Sequence, residues 1–348
     1  MATSNTRALI FVAVIVVCTI GVAVYVQQRQ HARAVVAPGA TPLLSLTDPA
    51  VAARVEKIRA EPHIVYLSRA TDSFDQVGLA TVADPGHPVL LQSPACERSY
   101  FGSRTGLCLV INRESMAPKA YAMFVDRALH TTKQLPLDGL PIRARVSPDN
   151  RWAAATVFTT GENYSGDFTT RTSLFNLEDG SVINSLEAFT TERDGKLFRE
   201  IDFNFWGVTF FATGDSFLAT LGTGGKRFLV AGDIGSRHLK VIQDDVECPS
   251  LSPDGKQIVF KRTSKVQGAW RLWTMRLDTG EAWPITGEDR YIDDQAEWLD
   301  NEHVLYGLLY GDGVAENARS VWVSEVSRES GFDARILIRS ASSPSVVR

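Results

Sequence analysis

The chain has little of what nucleic-acid-binding proteins and zinc enzymes require. Its 36 Lys and Arg residues are outnumbered by 40 Asp and Glu residues, and the net charge is -4. Because binding to nucleic acid needs a basic stripe or patch, no nucleic-acid partner is expected. The 6 histidines are scattered and form no H-x-H or H-E-x-x-H motif, so the usual sequence signatures of a zinc site are excluded.

Common catalytic motifs are missing as well. The sequence contains no Gly-x-Ser-x-Gly motif, which argues against a hydrolase with such a nucleophile. The glycines of Leu221–Phe228 (LGTGGKRF) lie between two predicted strands, whereas a phosphate-binding loop leads from a strand into a helix. The sequence therefore names no catalytic residue, and it argues against an enzyme without excluding one.

One long apolar run is present, at the N-terminus. Ala8–Val26 (ALIFVAVIVVCTIGVAVYV) contains no charged residue, Asn, Gln or Pro. As a helix it would extend about 28 Å, close to the thickness of the hydrocarbon core of a bilayer. A cleaved signal peptide has a shorter apolar region and a small-residue cleavage site, and the nearby Ala32-Arg33-Ala34 has a charged middle residue. The run therefore favours an uncleaved transmembrane anchor, with a cleaved signal peptide as the alternative.

Two of the 4 cysteines, Cys96 and Cys108, flank a segment predicted to be a hairpin with its turn near Gly102-Ser103. Such a hairpin would place them on facing strands, within reach of a disulfide. Two separate buried thiols are the other interpretation. A disulfide would indicate an oxidising compartment, and together with the anchor it would place the bulk of the chain outside the cytoplasm.

From His63 onward, short apolar runs alternate with Gly, Asp and Asn, which is typical of all-β folds. The runs recur in a fixed order. Ser252-Pro253-Asp254-Gly255 precedes the predicted strand KQIVF, and Ser147-Pro148-Asp149-Asn150 precedes RWAAATVF. Units of roughly 40–50 residues predict six four-stranded blades that stack around an axis. Pro presets φ, and Asp, Gly and Asn tolerate the remaining turn conformations, so both motifs are predicted to be hairpin turns within blades.

The expected fold class is therefore all-β: a six-bladed β-propeller preceded by one N-terminal transmembrane helix and a short linker helix. The linker helix is indicated by TDPAVAARVEKI, which has a capping residue followed by Pro49 in the first turn. The predicted domains are an N-terminal tail (1–7), the anchor (8–26), the linker (27–62), the propeller (63–340) and a C-terminal tail (341–348).

The repeat unit resembles a known one. Ser252-Pro253-Asp254-Gly255 followed by KQIVF, and the later LWTMRLDTGEAWPIT, are similar to the WD40-like (PD40) repeats of TolB-type six-bladed propellers. The resemblance extends over residues 63–340 and is strongest at 245–287. It implies a bacterial envelope protein whose partners are other envelope proteins. The chain departs from the TolB pattern because it shows no separate α/β domain before the propeller and keeps a predicted membrane span.

Acidic residues recur where successive inner strands are predicted to begin. Asp202, Asp245 and Asp294 occupy these positions, and Glu247 and Glu297 lie nearby. In a propeller, the starts of the inner strands surround one mouth of the central channel. Carboxylates converging there could hold Ca²⁺, which takes about six to eight oxygen ligands, or a basic peptide. The alternative is that each acid caps a turn of its own blade and that no cofactor is bound.

The loop Thr159–Thr172 (TTGENYSGDFTTRT) is longer than a hairpin requires and carries Tyr164 and Phe168. Aromatic residues exposed on the rim of a propeller are suited to protein recognition. The two residues are therefore candidate contacts for a partner. The alternative is that both fold back onto their own blade.

Two functions agree with these features. The favoured one is a membrane-anchored propeller on the periplasmic or extracellular face that acts as a protein-interaction platform in the cell envelope. The alternative is a propeller enzyme, or a protein that binds a small ligand or calcium, with its site at an acidic channel mouth.

Overall fold

The structure is a computed structural model in which the chain forms two compact units, Met1–Pro42 and Leu43–Arg348. It describes residues 14–15, 18–19, 21, 42–114, 117–161, 168–263, 269–309, 319–328 and 333–348. The described residues 14–15, 18–19 and 21 are helical, and most of the predicted anchor Ala8–Val26 lies outside the described residues. Within the described part of the chain, no helix is both long enough and apolar enough to cross a membrane.

The second unit is built of short strands that, as far as it is described, form six sheets, each of them one blade of a propeller. From the inside outward, blade 1 contains β26 (Ala341–Val347), β1 (His63–Ser68), β2 (Val77–Thr81) and β3 (Val89–Leu91); blade 2 contains β4 (Arg98–Phe101), β5 (Gly106–Asn112), β6 (Lys119–Val125) and β7 (Thr131–Leu137); and blade 3 contains β8 (Leu140–Val146), β9 (Trp152–Thr160), β10 (Thr169–Asn176) and β11 (Val182–Ile183).

The other three blades follow the same plan. Blade 4 contains β14 (Asn204–Phe210), β15 (Ser216–Thr223), β16 (Lys226–Asp233) and β17 (His238–Asp244); blade 5 contains β18 (Glu247–Leu251), β19 (Gln257–Thr263), β20 (Trp270–Arg276) and β21 (Ala282–Pro284); and blade 6 contains β22 (Glu297–Trp298), β23 (His303–Leu309), β24 (Arg319–Glu325) and β25 (Arg335–Ile338). The innermost strand of each blade contacts that of the next around the ring. The predicted all-β, six-bladed propeller is therefore confirmed.

The inner strands are buried on both faces because the blades pack against each other face to face. In β14, neighbouring side chains point to opposite faces of the sheet, yet Phe205 and Trp206 are 1% and 0% exposed. Every residue of β14 from Phe205 to Phe210 is buried. A strand such as β14 is therefore a nearly continuous apolar run instead of an alternating one.

The ring closes through the last strand of the chain. β26 pairs antiparallel with β1, with Ile64 opposite Val346 and Val65 opposite Ser345. The prediction of a C-terminal tail at 341–348 was therefore wrong, and the propeller extends to Val347. The physical reason is that β1 is buried along its whole length and would lack an inner neighbour without β26.

Blade 4 carries two further strands. β12 (Thr190–Arg193) runs parallel to β17 at the outer edge of the blade, and β13 (Lys196–Leu197) returns antiparallel to β12. The turn between them, Asp194-Gly195, has positive φ at both positions (52° and 73°). This is the backbone that a two-residue hairpin turn requires and that Asp-Gly favours. The segment is thus an ordered extension of the sheet.

The proline-containing turns lie within blades, as predicted. Ser252-Pro253-Asp254-Gly255 connects β18 to β19, and the Ser252 hydroxyl donates to Oδ1 of Asp254 over 2.7 Å. Ser147-Pro148-Asp149-Asn150 connects β8 to β9 with the same serine–aspartate hydrogen bond, of 2.6 Å. The fourth residue is left-handed in both, with φ of 70° at Gly255 and 58° at Asn150. Glycine and asparagine are the residues that adopt this conformation most readily.

The linker contains the predicted helix, Pro49–Arg59. Asp48 caps it, accepting a hydrogen bond from the backbone N–H of Ala50 over 2.8 Å. Its buried residues Val55 and Ile58 belong to the hydrophobic cluster of blades 1 and 2. The helix therefore packs on the propeller.

Candidate functional site in the central channel

Side chains from opposite blades meet on the channel axis. Arg145 of blade 3 forms an ion pair with Glu297 of blade 6, and these blades face each other in a ring of six. Arg145 also donates to the backbone carbonyl of Ala296 (2.7 Å) and to the hydroxyl of Ser250 in blade 5 (3.0 Å). The Tyr100 hydroxyl of blade 2 donates to Glu297 over 3.2 Å. We call Tyr100, Arg145 and Glu297 the axial cluster.

Arg145 and Glu297 of the axial cluster are buried, Tyr100 is partly buried, and the two charges compensate each other. Burial alone would lower the pKa of Arg145, but the Glu297 carboxylate outweighs it and raises that pKa. Burial and the same carboxylate raise the pKa of Tyr100, whose ring lies 4.7 Å from the Arg145 guanidinium. Both shifts favour the charged arginine and the neutral phenol. The cluster divides the channel into two cavities.

The larger cavity lies on the side of the channel where the turns after the inner strands are found, and we call it the turn-side cavity. It has a volume of about 550 Å³. All six blades contribute to its wall, through the segments 100–103, 145–148, 209–213, 250–255, 297–298 and 346–348. Both proline-containing turns are therefore part of its rim.

The smaller cavity lies on the other side of the axial cluster, where the inner strands begin, and we call it the arginine-lined cavity. Its volume is about 30 Å³. Arg98 of blade 2 and Arg143 of blade 3 line it together with Ile142, Asp294 and Pro344. These arginines were not predicted as site residues.

The predicted acidic residues are distributed over several places. Asp294 and Glu297 lie at the channel, and Asp294 accepts hydrogen bonds from the backbone N–H groups of Gly307 (2.7 Å) and Gln295 (3.0 Å). Asp202 is exposed and caps the β15–β16 turn, where the Thr223 hydroxyl and the Gly224 N–H bind it and lower its pKa.

The other two predicted acids behave differently. Asp245 is exposed and has a left-handed backbone, with φ of 65°. Glu247 is buried and accepts a hydrogen bond from the indole N–H of Trp270 over 2.9 Å. Among the residues that the structure describes, no group of three or more His, Cys, Asp or Glu side chains is arranged to hold a metal ion.

Glu247 belongs to a second buried group of charges, next to the arginine-lined cavity. The fully buried Lys261 ammonium lies 2.7 Å from Asp293 and 3.6 Å from Glu247. Arg143 approaches the same Asp293 carboxylate, at 3.4 Å. Burial alone would raise the pKa of Asp293, but Lys261 and Arg143 lower it to about 2.

The two predicted rim aromatics have different outcomes. Tyr164 lies outside the described residues. Phe168 is partly buried, and its ring packs edge-on against Phe158 (5.7 Å between centroids) and Trp206 (5.4 Å). Phe168 therefore folds back onto the propeller, which is the second of the two alternatives considered for this loop.

Cys96 and Cys108 form a disulfide with a Cα–Cα distance of 5.3 Å. The register differs from that of a simple cross-strand pair, because Cys108 of β5 lies opposite Ser99 of β4. Cys96 precedes β4, so the disulfide connects the segment leading into blade 2 to the second strand of that blade. Cys248 is a free and buried thiol.

Comparison with known proteins bears on the fold. No family model matches the sequence, and no curated protein does. TolB from Acinetobacter baumannii is similar in structure, at a TM-score of 0.54 and 15% identity, covering 82% of this chain and 67% of that one. A chain of a nidogen/laminin complex is similar at a TM-score of 0.51 and 10% identity, covering 82% of this chain and 98% of that one.

At these identities the similarity shows the fold alone. The chain is a six-bladed β-propeller. Within that class, its fold is similar to that of TolB from Acinetobacter baumannii.

Proposed function

We propose that this protein is a membrane-anchored propeller outside the cytoplasm that acts as a protein-interaction platform in the cell envelope, and that a partner docks in the turn-side cavity. One observation carries the proposal: all six blades contribute to this cavity, and the axial cluster closes its floor. A cup with a closed floor suits the binding of a protruding segment. Turns held on a rigid scaffold are also where binding residues concentrate.

Three features support the location and the kind of partner. The Cys96–Cys108 disulfide suits an oxidising compartment. The apolar segment Ala8–Val26 has the length of a single membrane-spanning helix. The resemblance of the repeats to those of TolB-type propellers supports partners in the envelope. The similar fold of a chain from a nidogen/laminin complex, which is an assembly of proteins, supports a protein as the partner.

Site-specific photo-cross-linking in intact cells tests the proposal. A photoreactive residue at Thr213, which lines the turn-side cavity, should capture one envelope protein. The matched control is Val182, which is exposed on the outermost strand of blade 3 and should capture none. Identical capture from both positions would contradict docking in the cavity. So would no capture from Thr213 under conditions in which a known envelope complex is cross-linked.

A small-ligand function is the second candidate, because the turn-side cavity of about 550 Å³ falls in the size range of ligand pockets, about 300–1,000 Å³. Thermal unfolding with a panel of metabolites and with CaCl₂ tests it. A true ligand should raise the Tm of the wild type and of Val182→Trp, and it should raise the Tm of Thr213→Trp less, because that variant places a bulky side chain in the wall of the cavity. No rise in Tm with any compound would exclude this candidate for the panel used.

A further inference from the structure

The arginine-lined cavity contains Arg98, a cation for which the described part of the chain provides no paired carboxylate. Arg98 donates through Nε to the carbonyl of Ile142 (3.2 Å) and through Nη1 to the carbonyl of Glu97 (3.3 Å). Both acceptors are uncharged backbone groups. Among the described residues, no carboxylate lies within 4.0 Å of the Arg98 guanidinium and no acceptor binds its Nη2.

The surroundings of Arg98 add positive charge. Burial, together with the neighbouring Arg319 and Arg143, lowers the pKa of Arg98 to about 10. Asp294 acts in the opposite direction, but two backbone N–H groups already bind its carboxylate oxygens. The other carboxylate nearby, Asp293, is engaged by Lys261 at 2.7 Å and by Arg143 at 3.4 Å.

A partly desolvated guanidinium without a counter-ion is costly, and the cost is removed when a carboxylate binds it. The planar guanidinium has N–H donors spaced to bind both oxygens of a carboxylate, with greater strength than a neutral hydrogen bond. The cavity volume of about 30 Å³ has room for a small group such as a carboxylate. The side chains of Ile142 and Pro344 also line the cavity and offer apolar contacts to the carbon next to the carboxylate.

We propose that the arginine-lined cavity is a binding site for a single carboxylate group, held by Arg98 with Arg143 beside it. The site is separate from the turn-side cavity, because the axial cluster lies between them. The carboxylate belongs either to a small organic acid or to an acidic side chain of a protein, and the two sources share the same recognition chemistry.

Thermal unfolding of the full-length wild-type protein gives the first test, with acetate compared with acetamide at equal concentration and constant ionic strength. Acetamide has nearly the same shape and no charge. Because a ligand that binds only the folded state stabilises it, acetate should raise the Tm and acetamide should not. An equal effect of the two compounds, or no effect of either, would overturn the proposal.

Variants locate the site, with affinity for acetate measured by calorimetric titration. Arg98→Gln should weaken binding at least tenfold, and Arg98→Lys should weaken it less because the charge remains while the paired donors are lost. The matched control is Arg276→Gln, which removes an exposed arginine on the outer part of blade 5 and should leave binding unchanged. If Arg98→Gln does not fold, Arg143→Gln should give the same loss. Unchanged affinity in a folded Arg98 variant would overturn the assignment.

A second ligand distinguishes the two sources. N-acetyl-glutamate amide carries one side-chain carboxylate on a blocked backbone. Binding at least tenfold tighter than acetate, and lost in Arg98→Gln, would identify an acidic side chain as the natural occupant. If acetate binds and N-acetyl-glutamate amide does not, the natural occupant is a small organic acid. Either result supports the carboxylate site, and failure of both compounds to bind contradicts it, while leaving the cross-linking test of the turn-side cavity unaffected.

Discussion

Arg145 and Glu297 form an ion pair across the channel axis, with side chains 7% and 5% exposed. Two residues before Glu297, the Gln295 amide donates to the carbonyls of Val208 in blade 4 (3.1 Å) and Pro249 in blade 5 (2.8 Å). Glu297 itself accepts from the backbone N–H of Val346 in blade 1, over 3.3 Å. Side chains at the start of blade 6 therefore connect with all five other blades, so the axis is a structural joint as well as the floor of the turn-side cavity.

Breaking the axial ion pair should be costly. Arg145→Met or Glu297→Leu alone should lower the free energy of unfolding by about 3–5 kcal/mol, because the remaining charge stays buried without compensation. The double variant should lose much less than the sum of the two single losses. Urea denaturation of the full-length protein, followed by tryptophan fluorescence, measures all four proteins of the cycle.

The matched control for this cycle is the exposed pair Arg276–Asp278, with side chains 51% and 62% exposed. Exposed pairs contribute at most about 1 kcal/mol, so both single variants there should stay within that limit. Strictly additive losses for Arg145 and Glu297 would show that the two residues stabilise the fold independently.

The two proline-containing turns should respond differently to substitution at their left-handed residue. Gly255 has φ of 70° and open space where a Cβ would be, so Gly255→Ala should cost about 1 kcal/mol from backbone strain alone. Gly255→Asn should cost less, because asparagine tolerates this conformation. Thermal and urea unfolding measure these differences. If Gly255→Ala left the free energy of unfolding unchanged, the strain argument would be contradicted.

Asn150 occupies the equivalent position but has a second role. Its Oδ1 accepts from the backbone N–H groups of Arg104 (3.0 Å) and Thr105 (3.2 Å), and its Nδ2 donates to the Ser103 hydroxyl (2.9 Å). These bonds connect the turn of blade 3 to the first hairpin of blade 2. Asn150→Gly should therefore destabilise the protein by about 1–2 kcal/mol although glycine suits the backbone better. Stabilisation by this substitution would show that the bonds contribute little.

The features that sequence predicted well are those set by neighbouring residues. Ser252-Pro253-Asp254-Gly255 and the apolar run after it specify a turn and a strand locally, and repetition of that pattern specifies the blades. Closure of the ring pairs β26 with β1, and these two strands are far apart in the sequence. No local sequence signal therefore specifies the pairing. Pro344 and three serines in ASSPSVV also oppose a strand by composition. The hairpin β12–β13 had a sequence signal for its turn, Asp194-Gly195. The charged residues around this turn made the two short strands hard to recognise.

In the site, too, local patterns were predictable from the sequence and contacts between distant segments were not. Arg143 and Arg145 are two residues apart in IRARV, so both point to one face of the inner strand, and charges on that face of a short strand were a usable signal. The partners of these arginines, Asp293 and Glu297, come from a distant part of the chain, so no local pattern predicts the pairs. Recurrence at strand starts selected Asp202, Asp245 and Asp294, and of these three the structure places Asp294 at the channel. The pattern did not distinguish Asp294 from Asp202, because an acid that caps a turn recurs at the same position.

The disulfide should contribute measurably to stability. Cys96 and Cys108 enclose a loop with a sequence separation of 12, for which the chain-entropy relation gives about 3 kcal/mol. Cys96→Ser combined with Cys108→Ser should lower the free energy of unfolding by this amount, and a reducing agent should do the same to the wild type. Cys248→Ser is the control, since that thiol is free. Alkylation of thiols in intact cells before lysis should leave Cys96 and Cys108 unmodified, and modification of both would contradict an oxidising compartment.

The Asp293 carboxylate should give the stability a defined dependence on pH. Lys261 and Arg143 hold its pKa at about 2 in the folded protein, below the ordinary value of 3.8. A lowered pKa stabilises the folded state above the ordinary value, and this contribution is lost as the pH falls from about 4 to about 2. Because the side chain is 44% exposed, we expect about 1 kcal/mol after allowing for screening by solvent.

Asp293→Asn should therefore be about 1 kcal/mol less stable than the wild type at pH 7, and the difference should shrink between pH 4 and pH 2. Urea denaturation at pH 7, 4 and 2.5 measures the difference. Asp289→Asn removes a carboxylate that is 95% exposed and controls for the change in net charge. If the gap between wild type and Asp293→Asn stayed constant down to pH 2.5, the carboxylate would not titrate in this window. The stabilisation would then have to come from its shape and hydrogen bonds, since attraction to Lys261 and Arg143 requires its charge.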